Sequence, residues 1–244
     1  MADPVPPAPP RVEMHGIGKH FGAGPTRVDA LIDIDLRVDP GELVGLRGPS
    51  GCGKSTLLNV IGCVTEPSAG EMRLDGEPVY EQRWLRRDLR RLRLTRIGFI
   101  FQTHNLLPFL TATENVAEAM ELNGVRPRQA RERAIALLDY FEMRQIGAYP
   151  SELSGGMAQR VAIARAIANS PHIILADEPT APLDSARAQA VLDLLTRIAR
   201  EQRAAVLVVT HDASIFHRFD RLISMRDGRI EAATAPAGPA TAPA

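Results

Sequence analysis

The sequence GPSGCGKST, at residues 48–56, matches the pattern G-x-x-x-x-G-K-[ST] of a phosphate-binding loop. A short apolar run at residues 42–46 precedes it, and a helical pattern from Lys54 to about Cys63 follows it. In that setting the glycines allow backbone N–H groups to face a phosphate, and the helix dipole strengthens the attraction. The stretch therefore predicts a strand–loop–helix unit, and with it an α/β fold built around a nucleotide site.

Every residue of this loop is a candidate contact to ATP. Lys54 is expected to reach the β- and γ-phosphate oxygens, and the Ser55 hydroxyl is placed to bind Mg²⁺. The alternative is a glycine-rich turn with a chance Lys-Ser pair, and the strand and helix on either side argue against it. The candidate nucleotide-binding residues are Gly48, Pro49, Ser50, Gly51, Cys52, Gly53, Lys54, Ser55 and Thr56.

Two acidic residues, Asp177 and Glu178, follow an apolar run at residues 173–176. A carboxylate that emerges from a buried strand needs a compensating cation, and Mg²⁺ is a common one. Asp177 is the candidate metal ligand, and Glu178 is the candidate residue that polarises the attacking water. Alone, such a run marks only the end of a strand, but its position after the phosphate loop and before Pro-Thr favours the catalytic interpretation.

The sequence LSGGM, at residues 153–157, begins a strongly helical stretch. Ser154 suits an N-cap, and Gly155 and Gly156 leave the first N–H groups of the helix accessible, so a second anion site is predicted there. Because the chain's own nucleotide already has a phosphate loop, we expect this site to face the γ-phosphate held by another subunit. An ordinary capped helix is the alternative.

Gln102 and His211 each follow an apolar run, the first at residues 97–101 and the second at 206–210. The Gln102 amide is a candidate contact to Mg²⁺ or to the attacking water, and the His211 imidazole is a candidate donor to the γ-phosphate. A solvated strand end is the alternative for both residues. Their order among the other motifs favours the nucleotide site.

Hydrophobic periodicity predicts the rest of the fold. Alternation of apolar and polar residues at 12–21 and 31–38 is typical of half-buried antiparallel strands. Runs with little alternation, typical of strands buried on both faces of a parallel sheet, lie at residues 97–101, 173–176 and 205–209. Helical patterns lie at residues 113–122, 128–141 and 188–198. We predict a core sheet around the phosphate loop, an N-terminal antiparallel β layer and an inserted α-helical subdomain at about 103–170.

Composition limits the class of protein. The 244 residues carry 29 Lys plus Arg and 29 Asp plus Glu, so no overall field favours nucleic acid or an anionic membrane, and no nucleic-acid partner is expected. Cys52 and Cys63 form no disulfide or zinc framework, which suits a reducing compartment. No apolar run approaches the ~18 to 20 residues of a membrane span. We expect a cytoplasmic protein that reaches a membrane only through a partner.

Three segments lie outside these motifs. The Pro/Ala-rich ends at residues 1–10 and 233–244 are expected to be disordered tails around one domain at 11–232. Residues 83–96 contain seven arginines, with leucines at helical spacing, and predict an amphipathic helix with a solvated basic face. A membrane or nucleic-acid contact is the alternative for that segment.

With these motifs in one order, the chain resembles an ATP-binding cassette (ABC) subunit of a bacterial transporter over residues 12–231. The resemblance implies that Phe21 stacks on adenine and that Asp184 belongs to the D-loop. The other family motifs are then Walker A at 48–56, the Q-loop at Gln102, the signature at 153–157, Walker B at Asp177, the catalytic glutamate at Glu178 and the switch histidine at His211.

The resemblance also implies how the chain works. Two copies close head to tail, and each ATP with its Mg²⁺ is held by Lys54 and Ser55 of one copy and by Ser154 and Gly156 of the other. Lys54 and His211 stabilise the charge that develops while Glu178 orients the water.

Wording around the motifs is most similar to the MacB/LolD/FtsE group, and within it to DevA-type subunits. That similarity implies an exporter motor that drives an integral membrane permease, with a membrane-fusion adaptor in the complex, and a place on the inner face of the plasma membrane. Two alternatives are an FtsE-like regulatory switch that signals through a permease-like partner and a soluble ABC ATPase that acts on DNA or ribosomes. The first would lack an adaptor, and the second usually carries two cassettes or long coiled coils.

Two positions depart from the family pattern. Met157 stands in the signature where Gln is usual, and Pro182 lies in the D-loop, where it fixes φ and removes an N–H. Neither change removes a group that does chemistry, so we expect slower hydrolysis or altered coupling rather than loss of activity.

Overall fold

The computed structural model of the chain describes residues 8–181 and 185–234, without the side chains of residues 185–187. Pro182 and Asp184 therefore lie outside the described residues. The strands are β1 (Val12–Phe21), β2 (Val28–Val38), β3 (Leu43–Arg47), β4 (Ala69–Leu74), β5 (Glu77–Glu81), β6 (Ile97–Ile100), β7 (Ile173–Asp177), β8 (Ala205–Val209), β9 (Arg221–Arg226) and β10 (Arg229–Thr234). The α-helices are α1 (Lys54–Ile61), α2 (Leu89–Arg96), α3 (Ala112–Glu121), α4 (Pro127–Tyr140), α5 (Gly155–Ile167) and α6 (Ser185–Gln202).

The core sheet has the strand order β10-β9-β3-β8-β7-β6, and the five strands from β9 to β6 run parallel. All five residues of β8, Ala205–Val209, are buried, as are four of the five in β7. Strands covered on both faces have no solvent side, which is why these runs lack alternation. The predicted α/β fold with a parallel core is confirmed.

A second sheet, in the order β2-β1-β4-β5, is antiparallel and covers one side of the core. In β1 the inward residues Val12, Met14 and Ile17 are completely buried, and the register to β2 shifts between Met14 and Ile17, where Gly16 lies, and again after Ile17. The predicted β layer is therefore confirmed, but it has two more strands than the alternation indicated, β4 and β5.

Both hairpins that the sequence analysis missed turn on an Asp-Gly pair. Asp75 and Gly76 join β4 to β5 with φ angles of 52° and 74°, and Asp227 and Gly228 join β9 to β10 with φ angles of 45° and 76°. Two successive positive φ angles form the tight hairpin turn that Asp-Gly favours. The signal was present in the sequence, although the flanking strands alternate weakly.

Residues 103–170 contain α3, α4, α5 and a short 3-10 helix, and no strand. Thr111 and Glu114 form a reciprocal capping box at the start of α3, which fixes where the helix begins. Helices α3, α4 and α5 pack on one another, and the far end of α5 packs on β6. The segment is thus the expected helical layer.

The arginine-rich segment is not one helix, which corrects the prediction for residues 83–96. Only Leu89–Arg96 is helical, and the residues before it run back along β5, where the Leu85 N–H donates to Val79 O at 2.9 Å. Arg86 pairs there with Glu77 at 2.7 Å. Ion pairing to the sheet competes with helix formation, a contact that leucine spacing does not reveal.

The ends of the domain also differ slightly from expectation. Pro10 is buried and the Arg11 N–H donates to Val38 O at 2.9 Å, so the ordered chain begins before residue 11. Strand β10 runs to Thr234 because it pairs with β9, two residues past the expected boundary at 232. Among the helices of the described ranges, none is long and apolar enough to cross a membrane.

Candidate functional site

The predicted catalytic residues meet at one edge of the core sheet. Leu46 of β3 lies opposite Val209 of β8, Val209 lies opposite Asp177 of β7, and Ala176 lies opposite Ile100 of β6. The loops that leave these neighbouring strands begin the phosphate loop and carry His211, Glu178 and Gln102. Carboxyl ends of parallel strands are where open α/β sheets bind ligands, because the helices that follow leave a crevice there.

Glycines allow the phosphate loop to lie directly against its supports. A Cβ at Gly53 would lie 2.3 Å from the carbonyl oxygen of Ala30 in β2, and φ at Gly53 is 102°. A Cβ at Gly48 would lie 2.2 Å from the carbonyl oxygen of Met225 in β9. Both contacts are with backbone atoms, which cannot yield, so only glycine fits at these two positions.

The loop presents unbonded donors. Within the described part of the chain, the backbone N–H groups of residues 53–56 have no backbone acceptor. Lys54 Nζ donates to the carbonyl oxygens of Gly48 and Pro49, both at 2.8 Å, so its charge lies over the loop. Four orphaned N–H groups at a helix N-terminus beside an ammonium group suit a phosphate.

The oxygen donors beside the loop suit Mg²⁺. The Ser55 hydroxyl is in the first turn of α1, which packs against β7, and Asp177 ends β7. No group of three or more His, Cys, Asp or Glu that could hold a metal occurs among the residues described. Mg²⁺ commonly takes one or two protein oxygens together with substrate phosphates, so a sparse donor set fits it when nucleotide is present.

Glu178 and His211 form a direct pair. Glu178 Oε1 lies 3.2 Å from His211 Nδ1, with the side chains 26% and 69% exposed, and both line a cavity of about 360 Å³. Glu178 has a φ of 48°, which costs a non-glycine residue about 1–3 kcal/mol and turns the chain sharply out of β7. Its N–H donates to Val209 O at 3.0 Å, which holds that turn beside β8.

Asp212, which follows His211, is also held in place. The Ser214 N–H donates to Asp212 Oδ1 at 2.9 Å, and hydrogen bonds from Ser214 lower the pKa of Asp212, with a smaller contribution from His211. Asp212 caps the short 3-10 helix Ala213–Arg218. The loop that presents His211 is therefore anchored on both sides.

Phe21, the candidate adenine contact, is an exposed residue at the end of β1 and pairs with Val28 of β2. Two residues further along β2, Ala30 touches Gly53 of the phosphate loop. Lys19 Nζ lies 4.9 Å from the Phe21 ring centroid. The β1–β2 hairpin thus presents one aromatic face near the loop.

The signature residues, 153–157, do not line the cavity that contains Glu178 and His211. Ser154 Oγ accepts a hydrogen bond from the Met157 N–H at 3.4 Å and caps α5, as predicted, while a Cβ at Gly155 would meet nothing within 4 Å. Ser154, Gly156 and Met157 line a cavity of about 530 Å³ that shares no residue with the Glu178–His211 cavity. One chain does not bring its signature and its Glu178–His211 pair into a common site.

Gly228 supports the phosphate loop and was missed from the sequence. Its N–H donates to Cys52 O at 3.1 Å, and its carbonyl accepts from the Ile32 N–H at 2.8 Å. The β9–β10 turn therefore ties the loop to β2. The Asp-Gly pair could have indicated a turn, but not the element that it would touch.

The family model described as ABC transporter matches residues 31–181. The chain belongs to the ABC transporter family. It is an ATP-binding cassette, and ATPase activity is the activity of that family.

Relatives and solved structures agree with this assignment. The cassette is 46% identical over 228 residues to the macrolide export ATP-binding/permease protein MacB of Sodalis glossinidius, covering 92% of the cassette and 34% of the relative. It is 41% identical to the lipoprotein-releasing system ATP-binding protein LolD of Hyphomonas neptunium, covering 91% and 96%. The cassette thus spans about a third of the MacB relatives.

One solved structure is similar to the cassette in both fold and sequence. The dimeric ATP-binding cassette MJ0796, in a post-hydrolysis state bound to ADP and Pi, is 38% identical and gives a TM-score of 0.83. The match covers 93% of this chain and 99% of that one.

Proposed function

We propose that the cassette is the ATP-hydrolysing motor of a bacterial ABC exporter, acting as a head-to-tail dimer that drives a membrane permease. The observation that carries this proposal is the separation, within one chain, of the signature cavity from the Glu178–His211 cavity. A site divided in this way is complete only when a second copy supplies the other half. The names of the MacB and LolD relatives, one for macrolide export and one for lipoprotein release, support an exporter.

In the proposed site, the residues of one copy bind and orient the nucleotide. Lys54 exchanges its bonds to Gly48 O and Pro49 O for the phosphate oxygens, and the N–H groups of residues 53–56 bind the same group. Phe21 stacks on the adenine. Ser55, Gln102 and Asp177 would hold Mg²⁺, which when bound neutralises charge on the phosphates.

Glu178 and His211 act on the reacting atoms. The Glu178 carboxylate accepts a hydrogen bond from the attacking water and orients it, while His211 donates to the γ-phosphate. Their 3.2 Å contact holds the two side chains together before nucleotide arrives. Ser154 and Gly156 of the second copy close the site, and Asp184 belongs to the proposed contact between the copies.

A loop beside Gln102 offers a docking surface for the permease. Between β6 and α3 it exposes three large apolar side chains, Phe101 (38%), Leu107 (37%) and Phe109 (70%). Exposed apolar groups concentrated on one loop are typical of an interaction site. Because Gln102 lies in this loop, the three exposed side chains are one, five and seven residues from it along the chain.

The domain bounds and the membrane complex belong to the same proposal. We propose one cassette domain that contains the predicted range 11–232 together with Pro10 and the last two residues of β10, with its helical subdomain at about 103–170. We also propose that the permease holds the cassette on the inner face of the plasma membrane and that a membrane-fusion adaptor completes the complex.

The Glu178→Gln variant tests whether ATP hydrolysis depends on Glu178. This variant is expected to bind ATP and form a dimer while hydrolysis falls by at least a hundredfold, because an amide is a far weaker acceptor for the water's proton. Glu121→Gln, an exposed glutamate at the end of α3, is the matched control and should hydrolyse normally. Rapid turnover by Glu178→Gln would remove that residue from its role.

The same variant identifies partners. Tagged Glu178→Gln chain, captured with ATP from detergent-solubilised membranes, should bring a permease and an adaptor, identified by mass spectrometry. A permease with cell-wall enzymes in place of an adaptor would instead favour a regulatory switch. Capture of no membrane protein would overturn the transporter proposal.

A further inference from the structure

Helix α5, which begins at the signature, is attached firmly to the core at its far end. A Cβ on Gly98 of β6 would lie 2.4 Å from the carbonyl oxygen of Ala166, so the two backbones touch. The Arg165 guanidinium donates to the carbonyl oxygens of Asn105 (2.5 Å) and His104 (2.9 Å), in the loop after Gln102. These contacts make the C-terminal end of α5 a fixed point.

The opposite end of α5 is separated from the core helix α6 by the 530 Å³ cavity, which we call the α6 groove. Met157 and Arg160 line one wall, and Val191 and Leu194 of α6 line the other. A cavity of this size between two elements means that side-chain packing does not set their separation there. A different contact therefore has to set the separation of α5 and α6 at this end.

Tyr140, the last residue of α4, supplies that contact. Its hydroxyl donates to Glu201 Oε2 at 2.8 Å, and the Arg197 guanidinium lies 4.1 Å from its ring centroid. Arg197 and Glu201 are one turn apart on α6, so a single side chain is held from two directions. Burial and the bond to Glu201 raise the pKa of Tyr140, so the hydroxyl remains a donor at neutral pH.

The contact is relayed to α5 by the next residue. The Phe141 carbonyl oxygen accepts a hydrogen bond from Arg160 Nη1 at 2.8 Å, and the rings of Tyr140 and Phe141 meet edge to face with centroids 5.2 Å apart. Arg160 lies about one turn after Gly156 in α5. A continuous set of contacts therefore runs from α6 through Tyr140 to the first turns of the signature helix.

We propose that Tyr140 is a positioning residue that sets the width of the α6 groove and thereby the place at which Ser154 and Gly156 meet the nucleotide of a second copy. This inference rests on the proposed function, since it concerns the dimer site. Tyr140 lines the α6 groove together with the signature residues, and in this inference it acts on their position through Phe141 and Arg160.

Graded variants separate the two contacts of Tyr140. Tyr140→Phe retains the ring over Arg197 and loses the bond to Glu201, whereas Tyr140→Leu loses both. In a Glu178→Gln background, we expect the ATP-dependent dimer to weaken by roughly tenfold in Tyr140→Leu and by less in Tyr140→Phe, as the loss of one cation–π contact and one hydrogen bond implies. Tyr149→Phe, at another exposed tyrosine of the helical layer, is the matched control and should dimerise normally.

Two further readouts distinguish positioning from general damage. Affinity of the monomer for a fluorescent ATP analogue should not change, because the contacts removed from Tyr140 are with Arg197 and Glu201 and not with the phosphate loop. Spin labels at Ser151 and Gln202, both exposed, should give a broader or shifted distance distribution in Tyr140→Leu.

An unchanged distance together with normal dimerisation in Tyr140→Leu would overturn the inference. If that variant does not fold, Tyr140→Phe decides the question by the same two measurements, with a wild-type result counting against it. Failure of the parent Glu178→Gln chain to dimerise in ATP would instead refute the proposed function, so the two failures are distinguishable.

Discussion

Replacing Asn115 with leucine tests how the apolar loop beside Gln102 is held. Asn115 is 1% exposed in α3, and its Nδ2 donates to the carbonyl oxygens of Leu107 (3.1 Å), Leu110 (2.9 Å) and Thr111 (3.0 Å). Its Oδ1 accepts from the Leu107 N–H at 2.7 Å. Leucine has nearly the same shape and can make none of these bonds.

The magnitude follows from which groups lose their partners. The carbonyls of Thr111 and Leu107 each keep a backbone donor, from the N–H groups of Asn115 (2.9 Å) and Leu110 (3.1 Å). The Leu107 N–H and the Leu110 carbonyl are left unpaired. At about 1–3 kcal/mol for each unpaired group, reduced where water can enter, the free energy of unfolding should fall by about 2–4 kcal/mol. For a domain of this size, that loss lowers the Tm by roughly 4–16 °C.

Urea and thermal unfolding measure the total loss, and amide hydrogen exchange over residues 103–111 locates it. Asn123→Leu is the matched control, because Asn123 is exposed and, among the described residues, its side chain makes one hydrogen bond, at 3.3 Å to Asn169. The free energy of unfolding of this variant should change by less than about 0.5 kcal/mol. Equal stability of the two variants would refute this reasoning. A loss of stability without faster exchange in the loop would also refute it.

Three other predictions concern single positions. Gly53→Ala should weaken binding of a fluorescent ATP analogue by more than tenfold, because its Cβ would lie 2.3 Å from Ala30 O, whereas Gly147→Ala, with nothing within 4 Å and no positive φ, should bind normally. Met157→Gln should raise ATP turnover by restoring a polar group in the signature, and unchanged turnover would mean that methionine is neutral there. Burial raises the pKa of Cys63 to about 12 from 9.0, so this thiol should resist alkylation at pH 8 until the chain unfolds. Because the unfolded thiol loses its proton first, stability should decline between about pH 9 and 12, with a slope of up to about 1.4 kcal/mol per pH unit that Cys63→Ala removes.

The residues proposed to bind nucleotide or to react were predictable because their chemistry is local. Gly48, Lys54 and Ser55 lie within one loop, and the loop's preference for a phosphate follows from its glycines and the helix after it. Asp177 and His211 were predictable because an apolar run ending in a polar residue marks the carboxyl end of a strand. The order of β3, β6, β7 and β8 in the sheet was not predictable, since short apolar runs are alike and pair with any neighbour.

Residues whose partners lie in another element or in a loop escaped sequence reasoning. Asn115 lies in a helix, where a polar side chain ordinarily faces solvent. The path of the preceding loop buries this side chain and gives it four hydrogen bonds. Arg86 lies in an apparently amphipathic stretch, and its pairing with Glu77 was decided by the sheet. In both cases the partner is set by chain geometry rather than by residue type.

Residue pattern alone was enough to predict the α/β class, the phosphate loop, the acids at the end of β7 and the capped glycine pair at the start of α5, because each depends on short-range preferences of the backbone. Three contacts depend instead on the packing of whole elements: the 3.2 Å approach of Glu178 to His211, the support that Gly228 gives to the phosphate loop, and the bond from Tyr140 to Glu201 across the α6 groove. Those contacts join residues from different elements, and their distances depend on how the sheets and helices pack as whole bodies.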